Sequence, residues 1–205
     1  MPEGRTTENI TLGSGHLYMI EHTNVIPDIS ELFVTANRVG YTKGGASIEY
    51  SQTTYEEKDD EGYVCKVITT EEEAKLKCGL LTWNGTTIEK LVDRSKTASG
   101  RNGRITKIGG KGNEKGKYYV VGFMHEDKKD GNVYVIIVGR NVAGLIIAFS
   151  KDAGSVIEPE FKALPQDTDG TLILFIEQTD LANSPTLSID ALSKPKTKDS
   201  GAVEK

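Results

Sequence analysis

The segment Val39–Thr70 places the strongest constraint on the fold, because two strand-forming stretches flank an acidic run within it. Its sequence is VGYTKGGASIEYSQTTYEEKDDEGYVCKVITT. Gly44 and Gly45 precede the first stretch, and Gly62 follows the acids. Acidic residues that end in a glycine between two strand patterns favour a turn. The segment therefore predicts a hairpin, and a binding loop, a metal site and a self-assembly arm would all have this form.

The acidic run lies at the predicted tip of the hairpin. Five carboxylates within six residues make a divalent cation worth considering. A solvated tip is the plainer interpretation of such a charge run, so we predict no metal site. The alternative interpretation is that the acidic tip belongs to an arm that contacts another subunit. The residues of the tip are Glu56, Glu57, Asp59, Asp60 and Glu61, with Gly62 as the turn residue.

Composition limits the classes of protein to consider. With 205 residues and 37% hydrophobic content, the chain has enough apolar material for one domain with a moderate core and disordered ends. The net charge of −5 argues against a protein that coats nucleic acid, which would carry a dominant basic patch. The sequence holds no apolar run of about 18 residues and no leader-like segment, so we expect a soluble protein made in a cytoplasm, without membrane insertion.

The chain has two cysteines, Cys65 and Cys78, and neither belongs to a CxxC pair. A structural zinc site needs about four nitrogen or sulfur ligands, and the histidines lie far from both thiols in sequence. Because both cysteines fall on strand patterns among apolar neighbours, we predict that they are buried and reduced.

Strand patterns cover most of the chain. In AKLKCGLL, residues 74–81, apolar side chains alternate with lysines, as in a half-buried strand. The stretches NVYVIIVG (132–139) and AGLIIAFS (143–150) are apolar on both faces, so each predicts a strand covered by a second sheet, the helix or another subunit. Pro159 predicts an edge position for the strand in SVIEPEFKAL.

Two further segments punctuate these strands. NGTTIEKLVDRS, residues 84–95, predicts one helix, with Asn84 as N-cap. Residues 94–117 carry eight Lys or Arg and one acid and predict a solvated basic loop. The sequence thus predicts an all-β domain over residues 16–179 with one flanking α-helix, between a flexible N-terminal arm (1–15) and a disordered C-terminal tail (180–205).

Catalytic motifs do not fit their contexts. Asp167-Thr168-Asp169-Gly170-Thr171 spells the nucleophile motif of haloacid-dehalogenase-type phosphatases, but there the apolar strand precedes the first aspartate, whereas here it follows. Gly116-Lys117 lacks the hydroxyl residue of a phosphate loop. No serine lies in a nucleophile elbow. We therefore predict that the protein is not an enzyme and needs no cofactor.

Taken in order, several pieces of the chain resemble the major tail tube proteins of long, flexible-tailed bacteriophages and related prophages. The pieces are NRVGYTKGGASIEY, GYVCKVITTEEEAKLKCGLLTWN and GLIIAFSKDAGSVIEPEFKALPQDTDGTLILF, within about residues 25–178. The resemblance is carried by the glycine pair before a strand that ends in Tyr50, by Thr82-Trp83-Asn84 at the helix entry, and by the closing FKALPQDTDGTLI.

This resemblance implies a structural virion protein with two packed β-sheets, as a sandwich or barrel, a flanking helix and a long hairpin arm. Hexameric rings would stack into the tail tube, the conduit for DNA ejection, assembled in the host cytoplasm. The implied partners are further copies of the chain, the tape-measure protein, the tail-tip initiator and the tail terminator. Genomic DNA would pass through the lumen without specific binding.

The resemblance also suggests roles for particular residues. Gly44 and Gly45 would permit the bend that launches the hairpin. The tip Glu56–Gly62 would reach a neighbouring ring or subunit, and the basic loop would offer complementary charge through Arg101, Arg104, Lys107 and Lys111. Two alternatives stay open: a monomeric β-sandwich that binds a ligand through its loops, and the tube of a contractile particle.

Overall fold

The computed structural model describes residues 13–62 and 65–180 of the chain. Residues 1–12 of the predicted N-terminal arm and residues 181–205 of the predicted tail lie outside the described residues. The strands are β1 Gly15–Glu21, β2 Arg38–Gly40, β3 Thr42–Lys58, β4 Cys65–Leu80, β5 Ser95–Ser99, β6 Arg104–Ile108, β7 Tyr119–His125, β8 Val133–Asn141, β9 Glu160–Leu164 and β10 Leu174–Glu177. The helices are α1 Ile29–Leu32 and α2 Gly85–Leu91, and Thr35–Asn37 and Lys111–Asn113 form 3₁₀ turns.

Most strands belong to one large antiparallel sheet. Its order is β2–β1–β7–β8–β9–β4–β3, with β10 placed beside β8. β8 shares its second edge between two partners: Ile136 pairs with Leu174 of β10, and Val138 pairs with Leu164 of β9. The hairpin β7–β8 is thus the centre of the sheet.

The large sheet is curled until its edges meet. β2 and β3 lie at opposite ends of the strand order, yet only Tyr41 separates them in the chain. The Tyr41 N–H donates to Thr82 Oγ1 at 2.7 Å, and the Tyr41 carbonyl accepts from the Leu81 N–H at 2.8 Å. The Thr42 hydroxyl also donates to the Gly15 carbonyl of β1. These bonds join the two edges at one end of the sheet.

Both faces of the central strands are buried. One apolar cluster draws on β1, β2, β4, β7, β8 and β9 and includes Phe161, which is fully buried. A second cluster lies on the opposite face, where Leu32 of α1 and the Phe33 ring pack against it. Adjacent residues of one strand enter different clusters, as Ile136 and Ile137 do. The expectation that β8 is covered on both faces is confirmed.

Helix α2 begins where the sequence predicts. Asn84 Oδ1 accepts from the N–H groups of Thr86 at 2.9 Å and Thr87 at 3.1 Å, which is the N-cap arrangement. Ile88 and Leu91 are buried, and Leu91 belongs to the first apolar cluster. The helix ends at Leu91, earlier than the pattern through Ser95 suggests, because β5 begins at Ser95 and extends the chain.

The prediction of a basic loop over residues 94–117 is wrong for most of that segment. Residues 95–108 form a two-stranded sheet, with β5 and β6 paired from Ser95↔Ile108 to Ser99↔Arg104. The Gly100 N–H bonds the Gly103 carbonyl at 2.8 Å and closes the turn between them. This small sheet packs on α2 through the Thr97 hydroxyl, which donates to the Gly85 carbonyl at 2.9 Å. Packing on α2 stabilises β5 and β6, whose polar, glycine-rich sequence does not show a strand pattern.

Three other expectations are corrected. Residues 143–150 form no strand, because Asn141 Oδ1 takes up the Ala143 N–H at 3.2 Å and the Asn141 amide donates to the Gly144 carbonyl at 2.7 Å, which ends β8. β9 is an interior strand between β8 and β4. Pro159 lies just before β9, so its missing N–H group removes no hydrogen bond between β9 and its neighbours. Cys65 is exposed, although Cys78 is buried as predicted.

The predicted fold class is confirmed: the protein is all-β, with two packed sheets and one helix of seven residues beside them. None of the helices in residues 13–62 and 65–180 has the length and apolar composition that spanning a membrane requires.

Candidate assembly surfaces

The hairpin β3–β4 is far longer than the body of the protein can cover. β3 has 17 residues and β4 has 16, and they pair from Thr42↔Leu80 to Lys58↔Cys65. At the base, Ala74, Leu76 and Leu80 enter the core. Beyond them, residues 46–58 of β3 and 65–72 of β4 are exposed on both faces. We call residues 47–73 the arm.

Gly44 and Gly45 lie where the arm leaves the body. Their φ angles are +84° and +76°, a region that other residues rarely adopt. Residues 43–45 oppose only Gly79, between the pairs Thr42↔Leu80 and Ala46↔Cys78. The result is a bulge at the base of the arm, which re-aims β3 relative to the strands behind it.

Register assigns the arm residues to two faces. On the first, Tyr50 lies opposite Ala74 and Glu56 opposite Val67. On the second, Tyr55 lies opposite Ile68, flanked by the pairs Thr53↔Glu71 and Glu57↔Lys66. Apolar side chains are therefore present on both faces, with Tyr55 52%, Val67 57% and Ile68 46% exposed.

The acidic tip is organised by short-range hydrogen bonds. Glu56 accepts from the Cys65 thiol and from the Lys58 ammonium, each at 3.0 Å, and both donors lower the pKa of Glu56. Glu57 accepts from the Tyr55 hydroxyl, which raises the pKa of Tyr55. The Gly62 N–H closes the turn on the Asp59 carbonyl at 3.0 Å. Asp60 and Glu61 have no ion-pair partner among the described residues.

A charged network at the base of the arm links it to β9. Lys77 pairs with Glu49 at 2.8 Å and with Glu160 at 3.4 Å. Lys162 pairs with Glu73 at 2.8 Å, and the hydrogen bond lowers the pKa of Glu73. Sequence reasoning missed this network, because the partners come from β3, β4 and β9. The available signal was the alternation of Lys75 and Lys77 with apolar residues, which put both lysines on the face away from the core.

The four basic residues singled out from the sequence lie on the β5–β6 segment. Arg104 and Lys107 are in β6, Arg101 is in the turn before it, and Lys111 is in the following 3₁₀ turn. All are exposed, and none forms an ion pair within the described residues. Pairing also places Lys96 directly opposite Lys107, and Ala98 opposite Ile105, which is 69% exposed.

The structure does not bring the acidic tip and these basic residues together. No ion pair or hydrogen bond joins the two groups in the described part of the chain. Residues 47–73 hold nine acids and two lysines, a net charge of −7, and residues 94–117 hold eight bases and one acid, a net charge of +7. One molecule thus carries two strongly charged surfaces that do not neutralise each other directly.

Residues 142–150 form a third uncovered surface. Leu145 and Ile147 pack on the first core cluster, while Ile146 is 77% and Phe149 85% exposed. Within residues 13–62 and 65–180, no hydrogen bond involves the backbone N–H groups of residues 145–150. The ring of Trp83 lies near that of Phe149, with ring centroids 6.4 Å apart. Exposed apolar side chains beside unpaired backbone are typical of a surface that another chain covers.

The motif that resembles a phosphatase nucleophile is a structural turn. Asp167 Oδ1 accepts from the N–H groups of Asp169 at 3.0 Å and Thr171 at 2.9 Å. The hydrogen bonds from Thr171 lower the pKa of Asp167. Within the described residues no group of three or more His, Cys, Asp or Glu side chains is placed to hold a metal ion.

No protein-family model matches the sequence, and no curated protein matches it significantly.

Proposed function

We propose that this protein is a structural subunit that assembles with copies of itself into stacked hexameric rings, as the tail tube of a long-tailed phage. The sequence resemblance suggests this role. The observation that carries it is the arm, whose two strands extend beyond the body with both faces exposed. A two-stranded hairpin alone is at best marginally stable in water, so an arm of this length needs a partner.

Self-association explains why the exposed surfaces are of different kinds. The arm is acidic with apolar side chains on both faces, the β5–β6 sheet is basic, and residues 142–150 are apolar. Contacts between unlike surfaces of identical chains are head-to-tail, and such contacts close into a ring when the rotation between neighbours allows it. Uncovered surfaces of several kinds are what a subunit with lateral and axial neighbours requires.

The charge of the chain suits a DNA conduit. A net charge of −5 gives no general attraction for phosphate, so DNA would pass without being held. The tape-measure protein, the tail-tip initiator and the tail terminator are the further partners that this role implies.

Electron microscopy tests the proposal. Purified protein, concentrated and incubated with a phage tail-tip seed, is expected to form six-fold rings or hollow tubes. A variant that lacks Glu56–Gly62 should remain folded, by circular dichroism, but assemble less. Wild-type protein that stays dispersed with the seed would contradict the proposal and would favour a monomeric ligand-binding sandwich.

A further inference from the structure

The outer face of the small sheet is built in a way that is unfavourable for an isolated chain. Lys96 and Lys107 are directly opposite each other across β5 and β6, and like charges in that position repel. Neither lysine has an ion-pair partner among the described residues. Next to them Ile105 is 69% exposed, opposite Ala98. The other face is occupied, since Thr97 and Thr106 point towards α2.

The second face of the arm has the matching pattern with the opposite charge. Tyr55 and Ile68 form an exposed cross-strand apolar pair. Glu71 lies on one side of this pair, and Glu57, which is opposite Lys66, lies on the other. The apolar pair on the arm is therefore bordered by two carboxylates and one ammonium group, Lys66, and the apolar pair on the small sheet is bordered by two ammonium groups.

Resting on the proposed function, we infer that the arm of one copy docks through Tyr55 and Ile68 on the outer face of β5–β6 of a second copy. Ile105 and Ala98 receive the apolar pair, and Lys96 and Lys107 meet Glu57 and Glu71. The net charges of −7 on the arm and +7 on residues 94–117 favour this partner over the other exposed surfaces. The contact is head-to-tail, so each copy offers one arm and receives another.

Site-specific cross-linking between differently marked copies tests the docking. In a Cys65→Ser background, which keeps a hydroxyl donor for Glu56, one variant carries Ile68→Cys and another carries Ala98→Cys. The two are mixed, with and without the tail-tip seed, and oxidised mildly. Each chain then has one exposed thiol, so a disulfide between positions 68 and 98 arises only between copies. Ile146→Cys replaces Ala98→Cys as the matched control, because that position is also exposed.

We expect the disulfide between positions 68 and 98 to exceed that between 68 and 146 by about tenfold, since docking raises the local concentration of one thiol at the other. About 1 M NaCl, where the screening length falls to about 3 Å, should remove the preference. Lys96→Glu with Lys107→Glu should abolish it, and Glu57→Lys with Glu71→Lys on the partner copies should restore it. If a reversed variant does not fold, Lys96→Gln with Lys107→Gln serves instead and should weaken the preference.

Equal yields at positions 98 and 146 would overturn the docking, and tubes in the same samples would leave the proposed function standing. A preferred disulfide between positions 68 and 98 without rings or tubes would support the docking and count against the tube.

Discussion

The ring of Phe33 lies against Gly122 of β7, so closely that a Cβ atom on Gly122 would stand 2.8 Å from Phe33 Cζ. The same Cβ atom would stand 2.9 Å from Leu32 Cδ2. The end of α1 and the residue after it therefore cover the sheet at the one position of β7 that has no side chain.

Gly122→Ala should destabilise the protein by about 1–3 kcal/mol, because the added methyl group would displace the Phe33 ring and overpack the second cluster. Urea denaturation followed by tryptophan fluorescence measures the change. Gly103→Ala is the control, since nothing lies within 4 Å of a Cβ atom there. Equal effects of the two substitutions would show that the Phe33 contact is absent.

Ile137→Ala should cost about 2–5 kcal/mol, because Ile137 is fully buried in the first cluster and its removal leaves a cavity. Ile146→Ala should change the free energy of unfolding of the monomer by less than about 0.5 kcal/mol, since that side chain is 77% exposed. Thermal or urea unfolding of both variants tests the comparison. A similar loss in both would place residues 142–150 in the core.

Asn84→Ala should lower stability by about 1 kcal/mol, because two N–H groups at the start of α2 would lose their acceptor. Asn102→Ala, an exposed turn position between β5 and β6, should have little effect. If the two variants unfold at the same urea concentration, Asn84 does not cap the helix in solution.

Cys65 should react with a thiol reagent in the native protein, whereas Cys78 should react only after unfolding. Cys65 is exposed, while burial raises the pKa of Cys78 to about 12. The hydrogen bond to Glu56 raises the pKa of Cys65, so Glu56→Gln should speed its alkylation near neutral pH. Alkylation rates resolved by peptide mass spectrometry report both thiols. An unchanged Cys65 rate in Glu56→Gln would argue against the bond, and Glu61→Gln provides the matched charge control.

The charged network at the base of the arm should make the stability of the protein depend on pH in the acidic range. The hydrogen bond from Lys162 lowers the pKa of Glu73 below its ordinary value. A group with a lower pKa in the folded state stabilises above the pKa of the unfolded chain, and this contribution is lost as the pH falls through the folded pKa. Glu73→Gln should thus reduce the loss of stability on acidification. Melting temperatures of the wild type and the variant, measured at neutral pH and below pH 4 or so, should differ less at the lower pH.

The sequence predicts those parts of the fold that depend on residues close together in the chain. Asn84 marks the start of α2 because a cap needs only the next three residues. The hairpin β3–β4 follows from two strand patterns around a turn. The burial of β8 on both faces follows from its continuous apolar run.

Errors arise where partners are distant in sequence. The small sheet is held by α2 and is hidden in a polar, glycine-rich segment. Residues 143–150 have a strand composition, but Asn141 ends β8 before them, and no strand among the described residues pairs with them. The ion network of Glu49, Lys77 and Glu160 needs three strands to meet. Glycine pairs suggest a bend, but neither the bulge opposite Gly79 nor the split edge of β8 can be deduced without the register.

The bulge at Gly44 and Gly45 also makes the arm a lever. Residues 47–58 of β3 extend about 35–40 Å from it at the usual rise of a strand. A rotation of about 10° at the bulge would therefore move the acidic tip by about 6 Å. This distance is roughly the rise of two residues along a neighbouring strand. The place where the tip lands is thus governed by four backbone angles at two residues that have no side chains.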